Sequence, residues 1–273
     1  MPYEKTVSRA EPGLIVFILD DSISMSDALP GTSDAKYVWV ERYIKAILKE
    51  LLARCTTVRG DVTVVKPRYF VYFVIYGDEP SITWNPPQSD IQSVLTKYAS
   101  NQYSLGLGGN LSGTNARAGF EMAFGFLQKA VAQYQTSFPP IIFHLTDGES
   151  QTDAEPIAQQ IGRLNTCDGN MLVVNAFLGA STQLRYSDPN DFPGYVSESE
   201  AGPSDYARRL FRMSSVMPST IQSNLVADGI FPNIRECSRL FFDVRTKDML
   251  KHVIQVVGSQ GKSTRELTAH SDI

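Results

Sequence analysis

Short unbroken apolar runs alternate along the chain with stretches in which apolar residues recur every three or four positions. Leu14–Leu19 is continuous and β-rich, the pattern of a strand buried on both faces. "RYFVYFVIY" (Arg68–Tyr76), the run within "PPIIFHLTDGES" (Pro139–Ser150), Met171–Leu178 and "RLFFDV" (Arg239–Val244) read the same way. "SITWN" reads as a short edge strand, because Pro86 and Pro87 end it at once. From Asp34 to Ala53, Val40, Ile44, Ile47, Leu48 and Leu51 form the stripe of an amphipathic helix, with Asp34 as the expected N-cap. Further helices are expected at Asp90–Ser100, Asn115–Tyr134, Ala154–Leu164 and Lys247–Val257.

Strands separated by helices predict βαβ units. The expected fold class is α/β: a Rossmann-like, doubly wound, mostly parallel sheet with one antiparallel edge strand and helices on both faces. Residues 1–12 read as an N-terminal extension, 13–258 as the domain, and 259–273 as a flexible tail. An insertion is expected at about 180–235. Its first part, 180–204, is rich in Ser, Pro, Asp, Glu and Gly and reads as a long, mobile loop. Tyr186, Phe192, Tyr195 and Tyr206 punctuate this region, and packing against the body is the favoured role over contact with a partner.

Composition narrows the class. The chain has 273 residues, 42% hydrophobic and 20% charged, as in a globular protein. A net charge of −4 argues against a general nucleic-acid binder. The first residues lack the apolar core of a secretory signal, and no apolar run reaches the roughly 20 residues that cross a bilayer. Cys55, Cys167 and Cys237 are too scattered for a disulfide framework or a zinc site. The expectation is a cytoplasmic protein without membrane or nucleic-acid partners.

The chemistry gathers where the first strand stops. In "LIVFILDDSISMSD" (Leu14–Asp27), Asp20, Ser22 and Ser24 share one face if the chain stays extended, while Asp21 and Ile23 share the other. Asp21 therefore reads as an acid that is either solvated or placed behind the ligands, and not as a ligand itself. Thr114 lies at a loop-to-helix junction after the Gly-rich Ser104–Gly113, and Asp147 lies just past a strand end, before Gly148. Ligand sites in open parallel sheets lie outside the carboxyl ends of the strands. Two carboxylates and three hydroxyls suit a hard divalent ion, Mg²⁺ or Mn²⁺. Neutral hydroxyl donors leave such an ion electron-poor, with a position free for a carboxylate from a partner. Other sequence features read blandly. His144 is expected to be a satisfied core histidine. "GSQGKST" (Gly258–Thr264) lacks the first glycine of a phosphate loop, so Gly258 is expected as a helix C-cap.

"DDSIS" (Asp20 to Ser24), "GTN" with Thr114 and "LTDG" with Asp147 together resemble the metal-ion-dependent adhesion site (MIDAS) of von Willebrand factor A domains. The strand and helix order matches that family from about residue 13 to 258, apart from the insertion. Ile23 is a departure, standing where the family often has Gly. The resemblance implies that Ser22, Ser24 and Thr114 contact the metal, with Asp20 and Asp147 acting directly or through waters. It also implies a non-enzymatic module that captures an Asp or Glu side chain of a protein partner. A stand-alone domain of this kind is similar to the bacterial TerY-like group, which implies stress or defence signalling with a protein kinase and a PP2C-type phosphatase. A AAA+ ATPase of the MoxR or chelatase kind is the alternative partner. The competing reading is a Mg²⁺-dependent phosphoester hydrolase. Against it, no His, Lys or Arg stands next to the motifs as a base or charge clamp.

Overall fold

The continuous apolar runs become the inner strands of one sheet, because a strand covered on both faces has no polar side to turn to water. The structure, a computed structural model, describes residues 3–59, 62–66, 68–84, 105–148, 150–178, 186 and 188–259. The chain begins with β1 (Gly13–Asp20), α1 (Lys36–Cys55), a hairpin of β2 (Thr56–Arg59) and β3 (Val62–Val65), β4 (Tyr69–Tyr76) and β5 (Pro80–Trp84). There follow α2 (Ala116–Gln133), β6 (Ile141–Thr146), α3 (Glu155–Ile161), and a small hairpin of β7 (Asn165–Thr166) and β8 (Gly169–Asn170). The chain continues through β9 (Leu172–Leu178), α4 (Asp205–Met213), α5 (Ser219–Ala227), β10 (Phe241–Val244) and α6 (Lys247–Gln255). The helix expected at Asp90–Ser100 lies outside the described residues.

Among the described residues the central sheet has six strands in the order β10-β9-β6-β1-β4-β5. All neighbours are parallel except β5, which runs antiparallel to β4 at the edge. This is the doubly wound α/β class expected from the pattern. β1 is buried over its whole length and sits between β4 and β6. Phe17 stacks on Phe73 with centroids 5.2 Å apart and meets Phe143 at 5.8 Å, so one aromatic row crosses the three inner strands. α1 packs against α6 on one face. On the other, Gly119 of α2 lies against Ile18 and Tyr76, and α3 and α4 follow.

α1 buries the expected stripe of Val40, Ile44, Ile47, Leu48 and Leu51. Its N-cap is Ala35 rather than Asp34. The Asp34 carbonyl accepts from the Leu29 N–H at 3.1 Å, so Asp34 closes the preceding turn instead of capping the helix. The hairpin of β2 and β3 was not anticipated, since four-residue strands carry too little periodicity to read.

The inserted region differs most from its expectation. Residues 179–185 and 187 lie outside the described part, but from residue 188 the chain is packed, not loose. Phe192 and Tyr195 are fully buried. Phe192 contacts the rings of Tyr186, Tyr195, Phe231 and Phe242. The Tyr186 and Tyr195 hydroxyls donate to the buried Asp243 carboxylate of β10 at 2.9 and 2.6 Å, and Arg245 pairs with the same carboxylate. Two helices, α4 and α5, complete the region. α4 turns Tyr206, Ala207, Leu210, Phe211 and Met213 inward, and Ser204 caps it by accepting from the Ala207 N–H. The polar composition masked these few large anchors.

This packing makes Phe192 a core residue. Phe192→Ala is expected to cost about 3–5 kcal/mol in equilibrium urea unfolding. A change within about 0.5 kcal/mol would mean a surface loop after all.

Candidate metal centre

The topology decides where a site can form. From β1 the chain first builds outward through β4 and β5, then crosses to the other side for β6, β9 and β10. The winding therefore reverses between β1 and β6, and the crevice at their carboxyl ends is the switch point of the sheet. Asp20 is the last residue of β1, and Asp147 is the first after β6. The register pairs Leu19 with Leu145, which sets Asp20 beside Thr146.

Asp20 is completely buried. One carboxylate oxygen accepts from the Ser22 N–H at 2.9 Å, and the other from the Thr146 hydroxyl at 2.7 Å. Burial is the largest influence on it and pushes its pKa up to about 6, against the pull of these hydrogen bonds; the nearby Asp147 charge adds to the rise. The chain stays extended through Ser22, which bridges Leu111, and then closes into a 3₁₀ turn, Ile23–Ser26; this turn brings the Ser22 and Ser24 hydroxyl oxygens to 3.2 Å. The Ser24 hydroxyl then donates to Asp147 Oδ1 at 2.7 Å. Asp20, Ser22, Ser24 and Asp147 thus form one connected cluster drawn from two strand ends.

Thr114 arrives by a different route. Its carbonyl accepts from the Gln151 N–H at 3.1 Å and from the Ser150 hydroxyl at 3.0 Å, which ties it to the loop after Asp147. Asn115 caps α2 by accepting from the Ala118 N–H, so the helix starts directly behind Thr114. On the other side, Leu111 bridges Ser22 and donates its N–H to the Asp21 carbonyl at 3.1 Å. Thr114 is half-buried; among the described residues its hydroxyl makes no hydrogen bond to the other four candidate side chains.

Asp21 faces away from the cluster, and of its two expected roles, solvated or placed behind the ligands, it takes the second. It is buried, and its Oδ1 accepts from the Gly108 and Gly109 N–H groups, each at 2.8 Å. Burial raises its pKa, and these two bonds oppose the rise. Asp21 therefore pins the glycine-rich loop that leads to Thr114. Gly109 has φ +59°, and a Cβ there would meet the Ser26 nitrogen at 2.6 Å, so only glycine fits this approach.

One residue at the site went unread in the sequence. Lys36, the first residue of α1, places its ammonium 2.7 Å from Asp147 Oδ2 and 3.2 Å from the Ser24 carbonyl. The expectation that no cationic side chain stands by the motifs is corrected here. Lys36 is twelve residues beyond Ser24, and the intervening loop folds the helix start back over the turn. The legible signal was a lysine opening the helix that follows the serines.

Behind the cluster lies a buried polar row. The Tyr76 hydroxyl is 2.8 Å from His144 Nε2, and His144 Nδ1 is 2.8 Å from Asn175 Oδ1. Asn175 in turn donates to the Ser214 hydroxyl at 2.9 Å and to the Leu210 carbonyl of α4 at 3.3 Å. Burial lowers the His144 pKa to about 4, so at neutral pH the ring is uncharged. Its Nδ1–H serves Asn175, and Nε2 accepts from Tyr76. His144 is the satisfied core histidine expected. Tyr206 of α4 is buried as well: burial is the largest influence and raises its pKa, the Thr146 hydroxyl beside it pulls the other way, and the charges of Asp20 and Asp147 add to the rise.

The donor set fits a hard cation. It combines two buried carboxylates with serine and threonine hydroxyls, the oxygen donors that Mg²⁺ and Mn²⁺ take. Among the described residues no group of three or more His, Cys, Asp or Glu side chains gathers to hold a metal, so this centre depends on its hydroxyls as well as its two carboxylates. Asp20 carries its charge on neutral donors alone, and Asp147 already holds a cationic ammonium, so the crevice attracts positive charge.

No family model and no curated protein sequence matches the chain. Solved structures do match. The chain is similar to proximal thread matrix protein 1 from the mussel byssus with a zinc-occupied MIDAS motif, at TM-score 0.52 and 14% identity over 93% of this chain and 46% of that one. A second structure of the mussel protein matches at TM-score 0.51 and 14% identity, over 94% and 47% of the two chains. The chain thus spans about half the length of the mussel protein. At this identity the likeness shows the fold alone, the mostly parallel α/β sheet expected from the sequence. Among the described residues no helix is long and apolar enough to cross a membrane.

Two outcomes follow from this geometry. The folded-state pKa of Asp20, about 6, lies above its ordinary 3.8. Its protonated form therefore stabilises the metal-free fold at low pH, and that contribution is lost as pH rises through 6. Asp20→Asn is expected to stabilise the metal-free protein at pH 7.5 by up to about 3 kcal/mol, with the gain vanishing near pH 4, read from urea unfolding at both pH values. Asp21→Ala is expected to free the glycine-rich loop. Amide hydrogen exchange at Gly108 and Gly109 would accelerate at least tenfold while β1 stays protected.

Proposed function

We propose that the chain is a metal-dependent protein-interaction module and not an enzyme. Ser22, Ser24 and Thr114 supply neutral oxygens to Mg²⁺ or Mn²⁺, and Asp20 and Asp147 balance its charge directly or through waters. The observation that carries this reading is the hydrogen-bonded cluster of Asp20, Ser22, Ser24 and Asp147 at the switch point of the sheet. A cation held largely by hydroxyls stays electrophilic, and a coordination position is left for an Asp or Glu side chain of a protein partner. Ile23, 63% exposed, and Leu111, 37% exposed, stand beside Ser22 and give the rim apolar contact surface. The mussel structure with its metal in the equivalent kind of motif supports the reading through the shared fold.

The finer proposal follows the resemblance of the three motifs. It places the module in the cytoplasm, in a TerY-like stress or defence system with a protein kinase and a PP2C-type phosphatase. The alternative is service to a AAA+ ATPase.

The test is capture of protein partners from a lysate of the source cell by the purified chain, with Mg²⁺ or with EDTA. Capture is expected with Mg²⁺ and at least tenfold less with EDTA. Asp20→Ala and Thr114→Ala should lose it while circular dichroism shows the fold retained. Capture indifferent to EDTA and to both variants would sink the mechanism. Phosphoester turnover with Mg²⁺ that disappears in Asp20→Ala would make the chain a hydrolase instead.

A further inference from the structure

We infer that Lys36 is a tethered counter-cation of this centre: its ammonium holds Asp147 when no metal is bound and moves to Asp27 when one binds. The inference rests on the metal reading above and goes beyond it, because it makes metal uptake an exchange of one cation for another.

Four observations carry it. First, the Asp147 side chain is fully enclosed, and both of its oxygens are already taken: Oδ2 by the Lys36 ammonium at 2.7 Å, and Oδ1 by the Ser24 hydroxyl at 2.7 Å. A buried carboxylate requires such compensation. Second, the Lys36 ammonium also engages the Ser24 carbonyl at 3.2 Å, so it rests on the same two residues that a metal would need. Two cations against one carboxylate repel, and the crevice holds one of them at a time. Third, an alternative berth lies within reach. Asp27 Oδ2 is 3.9 Å from the ammonium, and the Asp27 side chain is 73% exposed, where a lysine head is readily hydrated. Fourth, the base of the tether is fixed. The Lys36 N–H donates to the Asp27 carbonyl at 2.9 Å, and the Asp27 N–H donates to the Ser24 carbonyl at 3.1 Å. The backbone can stay in place while the flexible stem carries the charge from the enclosed carboxylate to the exposed one.

Two consequences are specific to this arrangement. The metal-free domain keeps a neutralised Asp147, so the fold does not depend on metal for that carboxylate. Metal affinity is held down by the work of displacing Lys36.

The experiment uses the full chain stripped with chelator and titrated with Mn²⁺, followed by calorimetry and by the Mn²⁺ paramagnetic signal. Lys36→Met is expected to bind Mn²⁺ at least tenfold more tightly than the unaltered protein, and to melt at a lower temperature without metal. Lys36→Gln, which keeps a neutral donor, should shift the affinity the same way and guards against a folding failure in the first variant. On the unaltered protein, acylation of Lys36 by an amine reagent, quantified by mass spectrometry, should rise severalfold on adding Mn²⁺. Equal or weaker Mn²⁺ binding in both variants, beside measurable binding by the unaltered protein, overturns the inference and leaves the metal reading standing. Acylation that is unchanged or reduced by Mn²⁺ overturns it likewise. Uptake of Mn²⁺ by none of the three proteins overturns the metal reading itself, and the inference with it.

Discussion

Two carboxylates buried at the ends of neighbouring parallel strands set the terms for everything around them. Like charges in a low-dielectric crevice are costly unless each is compensated. Asp20 is compensated only by neutral donors, the Ser22 N–H and the Thr146 hydroxyl, and its raised pKa is the residue of that incomplete settlement. Asp147 is compensated by a full positive charge, that of Lys36. The 3₁₀ turn after β1, the loop that folds α1 back and the hydroxyls between the two acids all serve this one requirement.

The sheet makes the requirement unavoidable. β1 must be apolar on both faces because β4 and β6 flank it and helices cover it, so polar groups can gather only beyond its end. The parallel register then delivers the end of β6 to the same edge. This is why the fold class and the grouping of Asp20, Ser22, Ser24 and Asp147 were legible in the sequence. Continuous apolar runs announce buried strands, and acids just past two such runs announce a shared edge. Thr114 was legible as a position at a helix start, and its backbone bonds to Ser150 and Gln151 show how it is held there.

What the sequence hid has physical causes of two kinds. Lys36 and the function of Asp21 depend on how loops fold back, and alternation along a strand says nothing about that. Asp21 turns away from the cluster as its facing implies, yet it meets the Gly108 and Gly109 amides rather than water. The inserted region was hidden by averaging. Its many small polar residues set the composition, while Tyr186, Phe192 and Tyr195 set the structure, each carrying a large apolar area and two of them a hydroxyl for Asp243.

That region is also continuous with the centre. Asn175 of β9 joins the Leu210 carbonyl and the Ser214 hydroxyl, at the C-terminal end of α4, to His144, and His144 joins Tyr76. The same helix carries the buried Tyr206, which feels the Thr146 hydroxyl and the charges of Asp20 and Asp147. α4 is thus tied to the strands behind the centre through Asn175, while the 3₁₀ turn and Leu111 stand by Ser22 on the other side. The insertion therefore packs on β9 and β10, and the Asn175–His144–Tyr76 row links that packing to the strands that end at the centre.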